Sequence, residues 1–267
     1  MFKKFFDIIN NLFPYKTKGK NNKIFVVYNG KKKPLKRKLK GLDVIIEGNN
    51  CYLEIEVPIS FKGTAIKLSG EYAVCIFKKT FTEINRASIY VGSWGRCFID
   101  EDICINNSGF NVVVNNNEKY KPHKLVIGKR VLIGRNVGIR TSDGHSLYNL
   151  DDKLPYNEPQ DVIIGDDVWL AQNVTVLKGA EIPSNTAVGA CSLVNKKFEQ
   201  PKIRGGGILI AGNPAKVIKQ NIRWTFKTYG QIMNSHNKYY GDGKNFKKVI
   251  LKKINNRILK FLFRFYF

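Results

Sequence analysis

Residues 164–199 read IGDDVW LAQNVT VLKGAE IPSNTA VGACSL VNKKFE, six consecutive units of six. Position one is always aliphatic: Ile164, Leu170, Val176, Ile182, Val188 and Val194. Position five is small or β-branched through Val168, Val174, Ala180, Thr186 and Ser192. A helix repeats at 3.6 residues and a strand at 2, so a sustained six fits neither. Short-period self-similarity with turn residues in the units indicates a solenoid. Three six-residue sides close one triangular coil, stacking Ile164 on Ile182 and Leu170 on Val188 at ~4.8 Å, the ordinary inter-strand spacing.

The frame extends upstream through IGKRVL and IGRNVG, from Ile127 and Ile133 to Ile139. Its next position falls on His145, within TSDGHSLYN at 141–149, and there the rhythm stops. Residues 146–161 carry none of it, so an insertion leaves the coil beside the histidine. Ile164 follows His145 by 19 positions. Residues 41–124 alternate aliphatics with Gly, Asn and Asp turns, which reads as irregular early coils or as an ordinary β-sandwich.

The net charge of +24 suggests a nucleic-acid binder until it is mapped. Residues 1–40 and 216–267 each carry 13 Lys and Arg against one acid, and the body between them balances at 19 of each. A neutral body argues against a nucleic-acid groove. Basic tails fit appendages near an anionic surface. Phe2, Phe5, Phe6, Ile9 and Phe13 fall near one helical face, as do Ile250, Leu251, Ile254, Ile258, Phe261, Leu262 and Phe265. Such helices either lie in a membrane interface or pack on the core. Apolar runs fall short of a membrane span, and Asp7, Asn10 and Asn11 break the one that would mark a signal peptide. The five cysteines form no C-x-x-C pair, as expected of reduced thiols in the cytoplasm.

The hexamers, with SDGHSLY, IGDDVWLAQNVTVLKGAEIP and AGNPAKVIK at 211–219, resemble the hexapeptide-repeat acyltransferases of left-handed parallel β-helix fold. They are most similar to bacterial O-acetyltransferases of capsule, polysialic acid and lipopolysaccharide sugars. The likeness is strong over 125–220 and weaker over 41–124. It implies an all-β solenoid with left-handed coiling, which comes from the resemblance alone, since general connection rules favour the right hand. The expected layout has a basic helical N-terminal extension and linker at 1–40 and early coils at 41–124. The regular core follows at 125–220, with an insertion at 146–161, and then a basic helical C-terminal extension at 221–267.

The resemblance also implies a homotrimer with sites in the clefts between helices, acetyl-CoA as co-substrate and a bacterial polysaccharide as acceptor. His145 is then the catalytic base and Trp169 belongs to the acetyl-CoA site. Histidine, with a reference pKa of ~6.5, suits removal of a hydroxyl proton at neutral pH. Asp143 orients the imidazole, contacts the acceptor or caps a turn. Tyr148 and Tyr156 are expected to stack on sugar, with Arg140 beside them. Ala171, Gln172, Gly189 and Ala190 flank the pantetheine, and Lys196, Lys197 and Lys216 are candidates for the CoA phosphates. Thioester chemistry needs no metal. The related γ-class carbonic anhydrases need three zinc histidines, and here only His123, His145 and His236 exist, the last beyond the repeats. Expected localisation is cytoplasmic, with peripheral contact at the inner face of the membrane. Other readings are transfer to a small acceptor (serine, a free sugar or a nucleotide sugar) and a non-catalytic scaffold.

Overall fold

A computed structural model describes residues 15–105, 109–115, 121–202 and 205–232. The chain divides into a unit ending at Trp224 and a second beginning at Thr225. The first unit winds as a parallel β-helix with three faces. Face one stacks the strands Lys16–Lys18, Leu42–Asn49, Thr64–Glu71, Ala87–Val91, Phe110–Val114, Gly138–Arg140, Thr175–Val176 and Leu193–Val194. Face two runs from Lys23–Tyr28 to Glu181–Ile182. Face three begins with the paired strands Ser60–Lys62 and Glu83–Asn85 and continues from Cys104–Ile105 to Gly207–Gly212. We call the turns from face one to two, two to three and three to one the first, second and third edges.

Every repeat aliphatic points inward. Ile164, Leu170, Val176, Ile182, Val188 and Val194 are buried, as are the position-five residues Val168, Val174, Ala180, Thr186 and Ser192. A fully buried aliphatic contributes about 1.5–3 kcal/mol, so the position-one aliphatics, with the smaller position-five residues beside them, supply the core of each coil. In the last coils successive strands are offset by 18 positions, as in Thr175 on Leu193, Glu181 on Ile163 and Ala187 on Trp169. Coils turn at residues in the left-handed region, including Asn136, Asp167, Asn173 and Asn185 at φ of 53° to 61°. Asn and Asp tolerate that region better than most side chains.

The early coils are the same helix with longer strands, offset by 22 or 23 positions, so the sandwich alternative does not apply. The helix also starts earlier than the expected boundary at residue 41. Residues 16–18 already pair with face one, and Lys23–Tyr28 pairs with Tyr52–Val57. The lysine run expected as linker instead folds back, with Lys31–Pro34 antiparallel to Phe25–Tyr28. All four of its residues are exposed, so no apolar rhythm marks it. Glu54, buried beside this hairpin, meets the Lys32 ammonium at 2.7 Å. Burial pushes its carboxyl up, but Lys32, Tyr52 and Lys78 outweigh that and hold it below the usual range.

The closing segment differs from expectation as well. Ala215–Ile222 returns as a strand antiparallel to Gly207–Gly212, where helix was expected from residue 221. In the second unit Thr228 and Gln231 form a reciprocal cap, with Thr228 N donating to Gln231 Oε1 and Gln231 N to Thr228 Oγ1, and helix begins at Tyr229. The two amphipathic segments at 2–13 and 244–267 lie outside the described residues. Among the described residues no helix is long and apolar enough to cross a membrane.

Candidate functional site

The insertion is a looped-out excursion from the first edge. Ile164 pairs with Ile127 across 37 positions, a full coil and a further 19. Ile164 therefore fills the core position that the six-residue count assigned to His145. Gln160 N donates to Thr141 O at 2.9 Å and closes the loop at its base, so the excursion covers 142–160, not 146–161. His145 thus sits inside the loop, exposed, rather than at the rim of the coil. Thr141 is anchored in the wall, where its hydroxyl accepts from Asn115 N.

The outer loop is a short antiparallel ribbon. Asn149 N donates to Leu154 O and Tyr156 N to Leu147 O, and Tyr148 bridges Pro155. Tyr148 and Tyr156 are both exposed on it, with Leu147, Leu150 and Leu154. Arg140 projects from the end of face one just before the loop.

Asn157 ties the inner loop together. Its Oδ1 accepts from Leu147 N at 2.7 Å, and its Nδ2 donates to Asp143 Oδ2 at 2.9 Å and to the His145 carbonyl at 2.8 Å. Lys178, on the next coil of the same edge, donates to the Asn157 carbonyl at 2.8 Å and pairs with Asp143 Oδ2 at 2.6 Å. The Lys178 ammonium, then the Asn157 amide, hold the Asp143 carboxyl below its ordinary range. Lys178 and Asn157 both engage Oδ2 of the Asp143 carboxylate. Neither residue carried a signal in the sequence, because the latch forms only when adjacent coils stack.

Trp169 lies on face three just past the second edge, 40% exposed. Its ring stands 6.2 Å from that of Trp224, at 44°. The Trp224 indole N–H donates to the Asp167 carbonyl, and the Asp167 carboxylate binds Arg130 through two hydrogen bonds. Sequence reading passed over Trp224; a tryptophan just after the closing segment was the available signal.

The third edge carries Ala171, Gln172, Gly189 and Ala190. Cys191 N donates to Gln172 O, stacking one pair of turns on the other. A methyl on Gly134 or Gly189 would come within 2.8 Å of Ala171 or Ala211, so this edge is lined by small residues. Lys216 pairs with Ala211 beside it. Lys196 and Lys197 lie on the first edge instead. The Lys197 ammonium binds Glu181 and that of Lys196 sits 5.3 Å from the Phe198 ring centre. One chain thus gathers His145, Asp143, Tyr148, Tyr156, Arg140, Lys196 and Lys197 at one edge, and leaves Trp169 at the second and the small-residue turns at the third.

His123 is buried, its Nδ1 3.5 Å from Asp161, and His236 lies outside the described residues. Among the described residues no three metal-binding side chains cluster.

No family model matches the chain. It is 33% identical over 117 residues to a polysialic acid O-acetyltransferase of Escherichia coli O1:K1 / APEC, covering 44% of this chain and 34% of that one. It is 42% identical over 110 residues to the polysialic acid O-acetyltransferase of Neisseria meningitidis, covering 41% and 49%. The chain thus spans about a third to a half of the length of these relatives. The crystal structure of the polySia specific acetyltransferase NeuO superimposes with a TM-score of 0.67 at 24% identity, over 86% of this chain and 98% of that one, a likeness of fold. With its hexamers, its three stacked faces and these relatives, the chain is similar to the hexapeptide-repeat acyltransferases of parallel β-helix fold, the bacterial polysialic acid O-acetyltransferases among them.

Proposed function

We propose that this protein transfers acetyl directly from acetyl-CoA to a hydroxyl of a bacterial surface polysaccharide, with His145 as general base. The carrying observation is that His145 stands exposed on a loop whose backbone is fastened around it by Asn157 and Lys178. The acceptor oxygen attacks the thioester carbonyl carbon while the imidazole takes its proton. The tetrahedral oxyanion is stabilised by an N–H donor in the cleft. It then collapses with breakage of the C–S bond, and the imidazolium returns the proton to the CoA thiolate. Asp143 acts through Lys178 and Asn157 as a positioning residue.

The separation of His145 from Trp169 and the small-residue edge supports a trimer. In such an assembly the first edge of one chain meets the acetyl-CoA surface of its neighbour, and pantetheine runs along Ala171, Gln172, Gly189 and Ala190. The exposed ring of Trp169 and the loop tyrosines then gain partners. The basic tails read as contacts with the cytoplasmic face of an anionic membrane.

The test follows free thiol with acetyl-CoA and candidate capsule polymers. His145→Ala should lose about 10²–10⁴-fold in turnover while still binding CoA. Full activity in that variant removes His145 from the mechanism, and saturation by small acceptors with inert polymers removes the polysaccharide.

A further inference from the structure

We infer a second carbohydrate-binding site, for an acidic polysaccharide chain, on the first edge of the early coils; it rests on the polysaccharide reading above. The residues at this turn in successive coils are Asn21, Asn50, Tyr72 and Trp94, all in the left-handed region at φ of 54° to 60°. Asn is a natural occupant there, whereas a bulky aromatic is an outlier that needs a reason. Two successive coils nevertheless carry one. The rings of Tyr72 and Trp94 are stacked, 4.4 Å apart at 28°, and Tyr72 is 45% exposed.

On the side of Tyr72 away from Trp94, the edge opens into a recess of about 520 Å³, lined among others by Asn21, Asn50, Lys23 and Tyr52. A supported aromatic platform flanked by amides and a lysine suits a pyranose ring bearing a carboxylate. Glu71, the nearby acid, is engaged by the amides of Asn49 and Asn50. Just past the edge, Arg96 and Lys124 stand exposed side by side at the start of face two, with the Lys124 ammonium 3.9 Å from the Asp161 carboxylate. Among the described residues no carboxylate lies within ion-pair distance of Lys23 or Arg96.

Position makes this a site for the acceptor. The loop bearing His145 leaves the same edge three coils beyond Tyr72, about 14 Å at the ordinary strand spacing. Between them on face two stand Arg96 and Lys124. A polymer seated on Tyr72 and led past Arg96 and Lys124 arrives at the catalytic loop. The site would hold a long chain while the loop acts on one of its sugars, so that preference for length resides in the early coils.

The double variant Tyr72→Asn, Trp94→Asn restores the corner residue that the repeat itself uses, so the fold is retained. With polysialic acid of defined lengths, KM for long chains should rise about tenfold, equivalent to about 1.4 kcal/mol, with kcat unchanged and KM for a trisaccharide unmoved. Arg96→Ala should flatten the salt dependence of long-chain binding. Unchanged KM for long chains in an enzyme that acetylates them overturns the site. So does a change in sedimentation on substitution, which would make the aromatic pair a contact between copies. If the unaltered protein acetylates no polymer, the proposed function fails. Calorimetry of polysialic acid without acetyl-CoA then decides the recess, with binding lost in the double variant supporting it and binding unaltered overturning it.

Discussion

Asn157→Ala should disable the loop that carries the proposed base, His145, without touching the fold. The substitution deletes three side-chain hydrogen bonds, to Leu147 N, Asp143 Oδ2 and the His145 carbonyl. Net hydrogen bonds contribute about 0.5–1.5 kcal/mol each, and more to a carboxylate. Asp143 is 38% exposed, which screens that one. The sum is then about 2–3 kcal/mol, all within residues 142–160. Lys178 still reaches the residue-157 carbonyl, so the loop loosens rather than detaches. With each 1.36 kcal/mol worth tenfold, kcat/KM for acetyl transfer should fall about 30- to 160-fold. No core residue is disturbed and the loop can open by itself, so melting should shift by less than the roughly 4–12 °C that 2–3 kcal/mol lost from the whole fold would give, while amide exchange accelerates across 142–160 alone. Activity within twofold of the unaltered protein, with exchange unchanged, would refute the latch. A melting temperature that falls in step with activity would place the damage in the coils instead.

The same latch has a defined pH behaviour. The Asp143 carboxyl is lowered, so its stabilisation is complete above the unfolded value of about 3.9 and is lost as pH falls through the lower folded value. Exchange protection of the loop, corrected for intrinsic rates, should be flat from pH 5 to 8, and a transition near 6 would contradict the pairing. Leu170, fully buried between Ile133 and Val188, should cost about 2–5 kcal/mol on truncation to alanine, read as a lower urea midpoint at constant slope. Cys191 is exposed on the third edge, Cys104 is half-buried, and Cys51, Cys75 and Cys97 are buried. One thiol should therefore label rapidly, and CoA should slow it if pantetheine runs along that edge.

The coils were legible because one aliphatic in six does their packing and the turns between demand few residue types. The frame also located the insertion, and the structure corrected only its reach, since Ile164 takes the core position and carries the excursion to 142–160. What escaped reading depends on register between coils. Lys178 meets Asp143 across 35 positions, and that meeting exists only because a 19-residue loop leaves the stacking undisturbed on either side. The hairpin at 23–34 was hidden for another reason. Its return strand is wholly exposed lysine and proline, a composition that reads as linker unless its partner strand is known. Tyr72 and Trp94 carried a signal that went unread, because aromatics in a strand-rich region pass for core until their positive φ places them at a corner. The edges were the least legible feature of all. A six-residue frame assigns residues to turns but does not give turns a function, and His145 and Trp169 lie 24 positions apart yet on different edges of the prism. On the proposed mechanism, a single chain holds the parts of the site without assembling them. Symmetry is the simplest way to do so, since a threefold axis that sets one edge of each helix against a face of the next builds three identical sites from one arrangement of residues.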